Sequence, residues 1–205
     1  VDYFAPDEGA RAQRDPATLI FTGHFGYAPN VDAALVLARE VLPLVRRQVA
    51  GARLALVGAD PPPALRALAG AEVAVTGYVP DMRPHLGRAT VYVSPLRLGA
   101  GIKNKILEAM AMALPVVATP LSCDGIDVTD GEHVLLAESP AALAEKTARL
   151  LADGDLRARL ARNARALVEA RYTWGGVGAR YEALFEQVIA ERRRAAPAAA
   201  RPPRS

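Results

Sequence analysis

Thr90-Val91-Tyr92-Val93-Ser94-Pro95-Leu96-Arg97-Leu98-Gly99-Ala100-Gly101-Ile102-Lys103-Asn104-Lys105-Ile106-Leu107-Glu108-Ala109-Met110-Ala111-Met112-Ala113-Leu114-Pro115-Val116-Val117-Ala118-Thr119 is the stretch that decides the fold. It opens on a short β-rich apolar run, passes a glycine-punctuated loop, and continues as a segment rich in strong helix formers that Pro115 ends. A second apolar run, Val116 to Thr119, follows at once. Strand, loop, helix and strand in some thirty residues is a βαβ unit, and such a unit puts its two strands parallel with the helix crossing between them.

The same rhythm extends outward. Upstream, Thr18 to Thr22 closes on Gly23, Arg53 to Val57 closes on Gly58, and Glu72 to Thr76 closes on Gly77. Between the first two, Val31 to Val49 carries Leu35, Ala38, Val41, Leu42 and Val45 at helical spacing, with Asn30 as its expected N-cap. Ala64 to Ala69 and Met82 to Leu86 are shorter helical segments. Downstream, Val134 to Ala137 is a sixth strand. Three helices follow it, over Pro140 to Ala152, Leu156 to Ala170 and Trp174 to Arg192. Asp153-Gly154-Asp155 separates the first two, and Thr173 caps the third. The strands are near-continuous apolar runs, as expected of a parallel sheet covered on both faces. The expected fold class is therefore α/β: a Rossmann-like, doubly wound parallel sheet of about six strands. Ligands of such sheets bind at the carboxyl ends of the strands.

Composition narrows the classes. Of 205 residues, 51% are hydrophobic and 23% charged, which supplies a full core and excludes wholesale disorder. The single cysteine, Cys123, excludes an internal disulfide framework. The formal charge of +3 comes from the end of the chain: every one of the 22 acidic residues lies at or before Glu191, whereas Arg192, Arg193, Arg194, Arg201 and Arg204 follow it. The body is slightly acidic, so no basic face for nucleic acid is expected. Residues 193–205 are expected to form a disordered Ala/Pro/Arg tail, either a plain solubilising end or one suited to peripheral contact with an anionic membrane surface. Residues 17–192 form the expected folded domain, and residues 1–16, with Pro6, Gly9 and Pro16, read as a linker.

Several nucleotide signatures are absent. The dinucleotide pattern Gly-x-Gly-x-x-Gly fails because Asn104 stands at its third glycine, and no phosphate-loop Gly-Lys-Ser/Thr or Gly-x-Ser-x-Gly occurs. What remains is the 99–108 segment. Gly99, Ala100, Gly101, Ile102, Lys103 and Asn104 lead into a helix whose first N–H groups are free, a natural anion site. Lys103 and Lys105, two of only three lysines, add compact positive charge. Glu108 lies deeper in the helix among apolar neighbours and suits a pair of sugar hydroxyls. A turn with Glu108 paired to an arginine is the plain alternative.

These residues carry a resemblance. The run Gly101 to Thr119, with Phe21-Thr22-Gly23-His24, Leu56-Val57-Gly58, Thr76-Gly77-Tyr78-Val79-Pro80-Asp81, Asp124-Gly125-Ile126 and Gly131-Glu132-His133-Val134-Leu135, resembles the carboxyl-terminal half of a family 4 (group 1) glycosyltransferase of the two-domain GT-B fold, nearest the bacterial exopolysaccharide-type sugar transferases. Val1-Asp2-Tyr3-Phe4-Ala5-Pro6 resembles the end of that family's interdomain linker. The resemblance implies a nucleotide-sugar donor domain whose amino-terminal acceptor-binding half is missing, acting in the cytoplasm or at the inner face of its membrane. It implies sugar transfer with retention and without a required metal or other cofactor. Glu108 would bind the ribose, and Lys105 with the Gly101–Lys105 backbone would hold the diphosphate, making Lys105 and Glu108 the expected catalytic pair. Gly23 and His24 would contact phosphate or sugar, and Tyr78, Val79 and Met82 would line the base pocket. Ala100 stands where the family places the first of two glutamates. A non-catalytic partner module, or half of a nucleotide-sugar epimerase, is the alternative.

Overall fold

A computed structural model describes residues 1, 3–6 and 15–195. The chain divides into two compact units, Val1–Glu169 and Ala170–Ser205. The first holds six strands: β1 (Thr18–Thr22), β2 (Arg53–Val57), β3 (Val73–Val75), β4 (Val91–Ser94), β5 (Val116–Ala118) and β6 (Leu135–Leu136). They form one sheet in the order β3-β2-β1-β4-β5-β6, and all five pairings are parallel. The order reverses between β1 and β4, and right-handed crossovers then send the connections of the two halves to opposite faces. This is the expected Rossmann-like α/β fold.

Apolar side chains drive the arrangement. Leu19, Ile20 and Phe21 of β1 and Val91, Tyr92 and Val93 of β4 are fully buried. Strands enclosed on both faces need no polar alternation, which is why they read as unbroken apolar runs.

The helix after β1 differs from expectation in three respects. It starts at Ala28, as α1 (Ala28–Val36), passes through a π-helical turn at Leu37–Val41, and continues as α2 (Leu42–Gln48). Tyr27 precedes it and Pro29 sits in its first turn, so Asn30 is not the cap but lies inside the helix. The π turn rotates the face that packs inward: Ala33, Ala34, Leu37 and Val41 are buried, whereas Leu35 and Ala38 are only partly so.

The remaining helices are α3 (Pro63–Arg66), α4 (Arg83–Arg88), α5 (Asn104–Ala111), α6 (Pro140–Ala152), α7 (Gly154–Arg171) and α8 (Trp174–Ala195). Helix α5 is shorter than expected, since Lys103 is its N-cap and Ala113 turns left-handed at φ 49° to let Pro115 leave. Helix α6 packs on β4 and β5 and against α2 and the π turn. Asp153 alone separates α6 from α7, because its carboxylate accepts the Leu156 N–H at 2.9 Å and caps the helix that Gly154 begins.

In the second unit α8 runs to Ala195, past the expected end at Arg192. Thr173 Oγ1 accepts the Gly176 N–H at 3.1 Å, the expected cap. Trp174, Tyr181 and Phe185, which lie along this helix and suit a core or interdomain stripe, are exposed on it, Trp174 at 92%. Of the expected tail, residues 196–205 lie outside the described residues, as do Asp2 and residues 7–14 of the expected linker. Among the described residues no helix is long and apolar enough to cross a membrane.

Candidate functional site

The strand-order reversal opens a crevice. Strands β1 and β4 pair only through Leu19 with Val91 and Ile20 with Tyr92. Beyond that they part. The Tyr92 hydroxyl fills the gap, accepting the Thr22 N–H at 3.3 Å and meeting Thr22 Oγ1 at 3.0 Å. Burial raises the phenol's pKa far above its ordinary value, so Tyr92 is a neutral strut.

Just above it lies a cleft of about 450 Å3, within the ordinary range for small-molecule sites. Gly23, His24, Tyr78, Val79, Ala100, Ile102, Lys103, Asn104, Lys105 and Glu108 all line it, as does Met82. The structure thus gathers ten of the twelve expected binding residues from three separate segments. Gly99 and Gly101 are the exceptions. They do not line the cleft but shape its wall, with φ of 113° and 76°, values at which a side chain would be strained.

Two glycines are there for closeness instead. A Cβ on Gly58 would lie 1.8 Å from the Gly23 carbonyl oxygen, and a Cβ on Gly23 would lie 2.9 Å from Asn30 Nδ2 and 3.0 Å from Lys105 Nζ. The β1 and β2 strand ends are therefore pressed together. Bonds from Gly23 N to Val57 O at 3.1 Å and from Phe25 N to Ala59 O at 2.8 Å hold them.

Helix α5 points its first turn into this cleft. No side chain caps it, so its first N–H groups are available to a ligand. Lys105 Nζ donates to Asn30 Oδ1 at 2.5 Å and rests 4.7 Å above the Phe21 ring. Desolvation by these walls lowers its pKa from the ordinary lysine value to about 8, against the pull of Glu108. Glu108 is pushed the other way, upward, by its own burial, with Lys105 opposing. Neither group has the other as a hydrogen-bonded partner, so both present unspent charge to the cleft. Lys103, by contrast, turns back to the Gly101 carbonyl.

His24 has both ring nitrogens engaged: Nδ1 accepts the Gly26 N–H at 3.1 Å, and Nε2 faces Asp60 at 3.0 Å. The imidazole is a rim element, held to the β2 loop. Of the Asp124-Gly125-Ile126 run, Asp124 does not line the cleft, and Gly125 packs under Ile102. Asn30 and Tyr27 do line it and were not expected there. Pro29 was the available signal, since a proline prefers the first helical turn and moves the cap to Tyr27, leaving Asn30 inside.

A parallel sheet with a cleft at its switch point, a free helix N-terminus and a lysine–glutamate pair one turn apart defines a Rossmann-like domain whose cleft has the features suited to an anion. Residues 16–153 match the model of the family described as glycosyl transferases, group 1, and the chain belongs to that family. A phosphatidyl-myo-inositol mannosyltransferase of Mycobacterium leprae (strain TN) is 31% identical over 179 residues, covering 83% of this chain and 46% of the relative. The chain thus spans about half the length of the curated relatives it matches. The C-terminal domain of a glycosyl transferase group 1 family protein (LpcC) from Francisella tularensis shares the fold with a TM-score of 0.69 at 20% identity, over 84% of this chain and 97% of that one. Anabaena HepE, solved with UDP and glucose, shares it at 0.67 and 14% identity, over 90% of this chain and 54% of that one.

Proposed function

We propose that the chain is the donor-binding half of a retaining glycosyltransferase that moves a sugar from a nucleoside diphosphate sugar to a glycan or lipid acceptor. The convergence of Lys105 and Glu108 on one cleft, at the free N-terminus of α5, carries the reading. The pyrophosphate lies over the α5 amides with Lys105 as its counter-charge, and the two ribose hydroxyls bond Glu108. Tyr78, Val79 and Met82 flank the base. Charge that builds on the leaving diphosphate is met by groups already in place, the usual source of the largest catalytic term. The UDP and glucose of the HepE structure and the lipid substrate named for the Mycobacterium relative support the donor class and an acceptor from membrane or glycan chemistry. The acceptor is held by a second domain, for which the apolar stripe on α8 is a suitable surface, and this half alone binds donor without transferring sugar. The exopolysaccharide class of product belongs to the same proposal.

Calorimetric titration with UDP-, GDP- and ADP-sugars tests it. One of the three binds, and Glu108→Ala weakens that binding by about 100-fold or more, the cost of two hydrogen bonds to a charged acceptor, with the circular dichroism spectrum retained. Absence of binding by all three overturns the reading.

A further inference from the structure

Asn30 is a polar side chain left only 7% exposed on the inner side of α1, and nothing in the family assignment gives it a task. Both ends of its amide are used. Nδ2 donates to the His24 carbonyl at 2.8 Å, and Oδ1 accepts from Lys105 Nζ at 2.5 Å. The amide therefore bridges the loop after β1 to the first turn of α5, across the parting of β1 and β4. It does so above Gly23, whose missing side chain leaves room for both Nδ2 and Nζ. Without this tether the lysine side chain, four carbons long, has many rotamers and pays entropy each time it meets a ligand.

We propose that Asn30 is the positioning residue of Lys105, holding the ammonium over the β1 end where the diphosphate of the proposed donor lies. The chemistry of an amide suits this task. A carbonyl oxygen fixes an ammonium without neutralising it, whereas a carboxylate in the same place would hold it more firmly and cancel the charge offered to phosphate. The bond to His24 keeps Oδ1, and not Nδ2, turned toward the lysine. The other titratable groups around Lys105 are Glu108 and Lys103 on its own segment and His24, Tyr27 and Tyr78 on the cleft wall. The inference rests on the donor-site reading above for its ligand, but the tether itself exists without ligand.

The protein has three lysines, Lys103, Lys105 and Lys146, so the side-chain carbon resonances of labelled lysine can be followed one by one through a pH titration. Asn30→Asp raises the Lys105 midpoint by about one unit or more, the effect of an adjacent carboxylate, and Asn30→Ala lowers it, because the charged form loses its acceptor. Lys103 and Lys146 stay where they were. In titrations with UDP, GDP and ADP, the diphosphate that binds the unmodified protein binds Asn30→Asp more weakly by about tenfold or more at neutral pH, and Asn30→Ala more weakly by a smaller factor. A packing role alone would lower thermal stability and leave the Lys105 midpoint unmoved; that result, in folded Asn30→Ala, overturns the proposal even if Asn30→Asp does not fold. Binding of none of the three diphosphates by the unmodified protein overturns the donor-site reading, and with it the ligand half of this one. A shifted Lys105 midpoint with diphosphate affinity unchanged overturns the ligand half alone.

Discussion

Two polar clusters sit at the carboxyl ends of neighbouring strands and have opposite characters. At the ends of β4 and β5, Ser94, Thr119 and Ser122 are buried and close on one another. Ser94 Oγ donates to Ser122 Oγ at 2.9 Å, Ser122 Oγ lies 2.9 Å from Thr119 Oγ1, and Thr119 Oγ1 donates to the Leu96 carbonyl at 2.6 Å. Every hydroxyl there has a partner, so the cluster is a knot that anchors the start of the 95–103 loop. Between β1 and β4, Lys105 and Glu108 are also drawn out of water, but their charges face a cleft and their pKa values move toward one another. Polar burial that closes on itself belongs to the fold. Polar burial that stays open belongs to a ligand.

The largest test of that contrast is Lys105→Met. Removing the cation from the open cluster should weaken diphosphate binding by about 30-fold or more, the scale of a charge-assisted contact, and should change stability little, because relief of a desolvated ammonium offsets the partner lost by Asn30 Oδ1. The pH dependence has opposite signs for stability and for affinity. A lysine held at about 8 in the folded chain, below its unfolded value, binds fewer protons when folded over the window from about 8 up to the ordinary lysine value. The unfolded state binds more, so stability of the free protein rises with pH across that window. Diphosphate affinity falls over the same pH range, since binding needs the ammonium. Chemical denaturation and calorimetry in parallel would read the two slopes, and both are lost in Lys105→Met. Slopes of the same sign would mean that Lys105 belongs to the closed kind of cluster.

Ser122→Ala, in the knot, should do the reverse. It leaves the Ser94 hydroxyl and the Leu96 N–H, now 3.3 Å from Ser122 Oγ, short of partners. Stability should fall by about 2 kcal/mol in urea denaturation, with diphosphate affinity changed less than about threefold.

How far the sequence reached follows the same division. Each strand and most helices were legible, because continuous apolar runs closed by Gly23, Gly58 and Gly77 depend only on local order. Lys105 and Glu108 were legible too, because both lie on one short helix after a glycine loop. The knot was not, since Ser94, Thr119 and Ser122 come from separate segments and read as ordinary strand-end residues. Nor was the demand on Gly58, which is set by the Gly23 carbonyl 35 residues before it in the chain. Asn30 was misplaced for a local reason: its residue type favours a cap, and the preference was outweighed by Pro29 and by the two partners its amide finds across the crevice.

The smallest expected effect decides what holds the loop that joins the clusters. Arg97 makes a two-pronged ion pair with Asp32 of α1, Nη2 to Oδ1 at 2.6 Å and Nε to Oδ2 at 3.0 Å, on the solvent side of that loop. A pair of this kind in water contributes about 0.5 kcal/mol, far less than the knot. Arg97→Ala should therefore shift the urea midpoint barely, and diphosphate affinity by less than about threefold, with the shift vanishing at high salt. If Arg97→Ala weakened binding more than Ser122→Ala does, the surface pair rather than the buried hydroxyls would be setting the shape of the loop. The contrast between the two clusters would then hold for stability alone, because the wall of the open one would be tied down from outside.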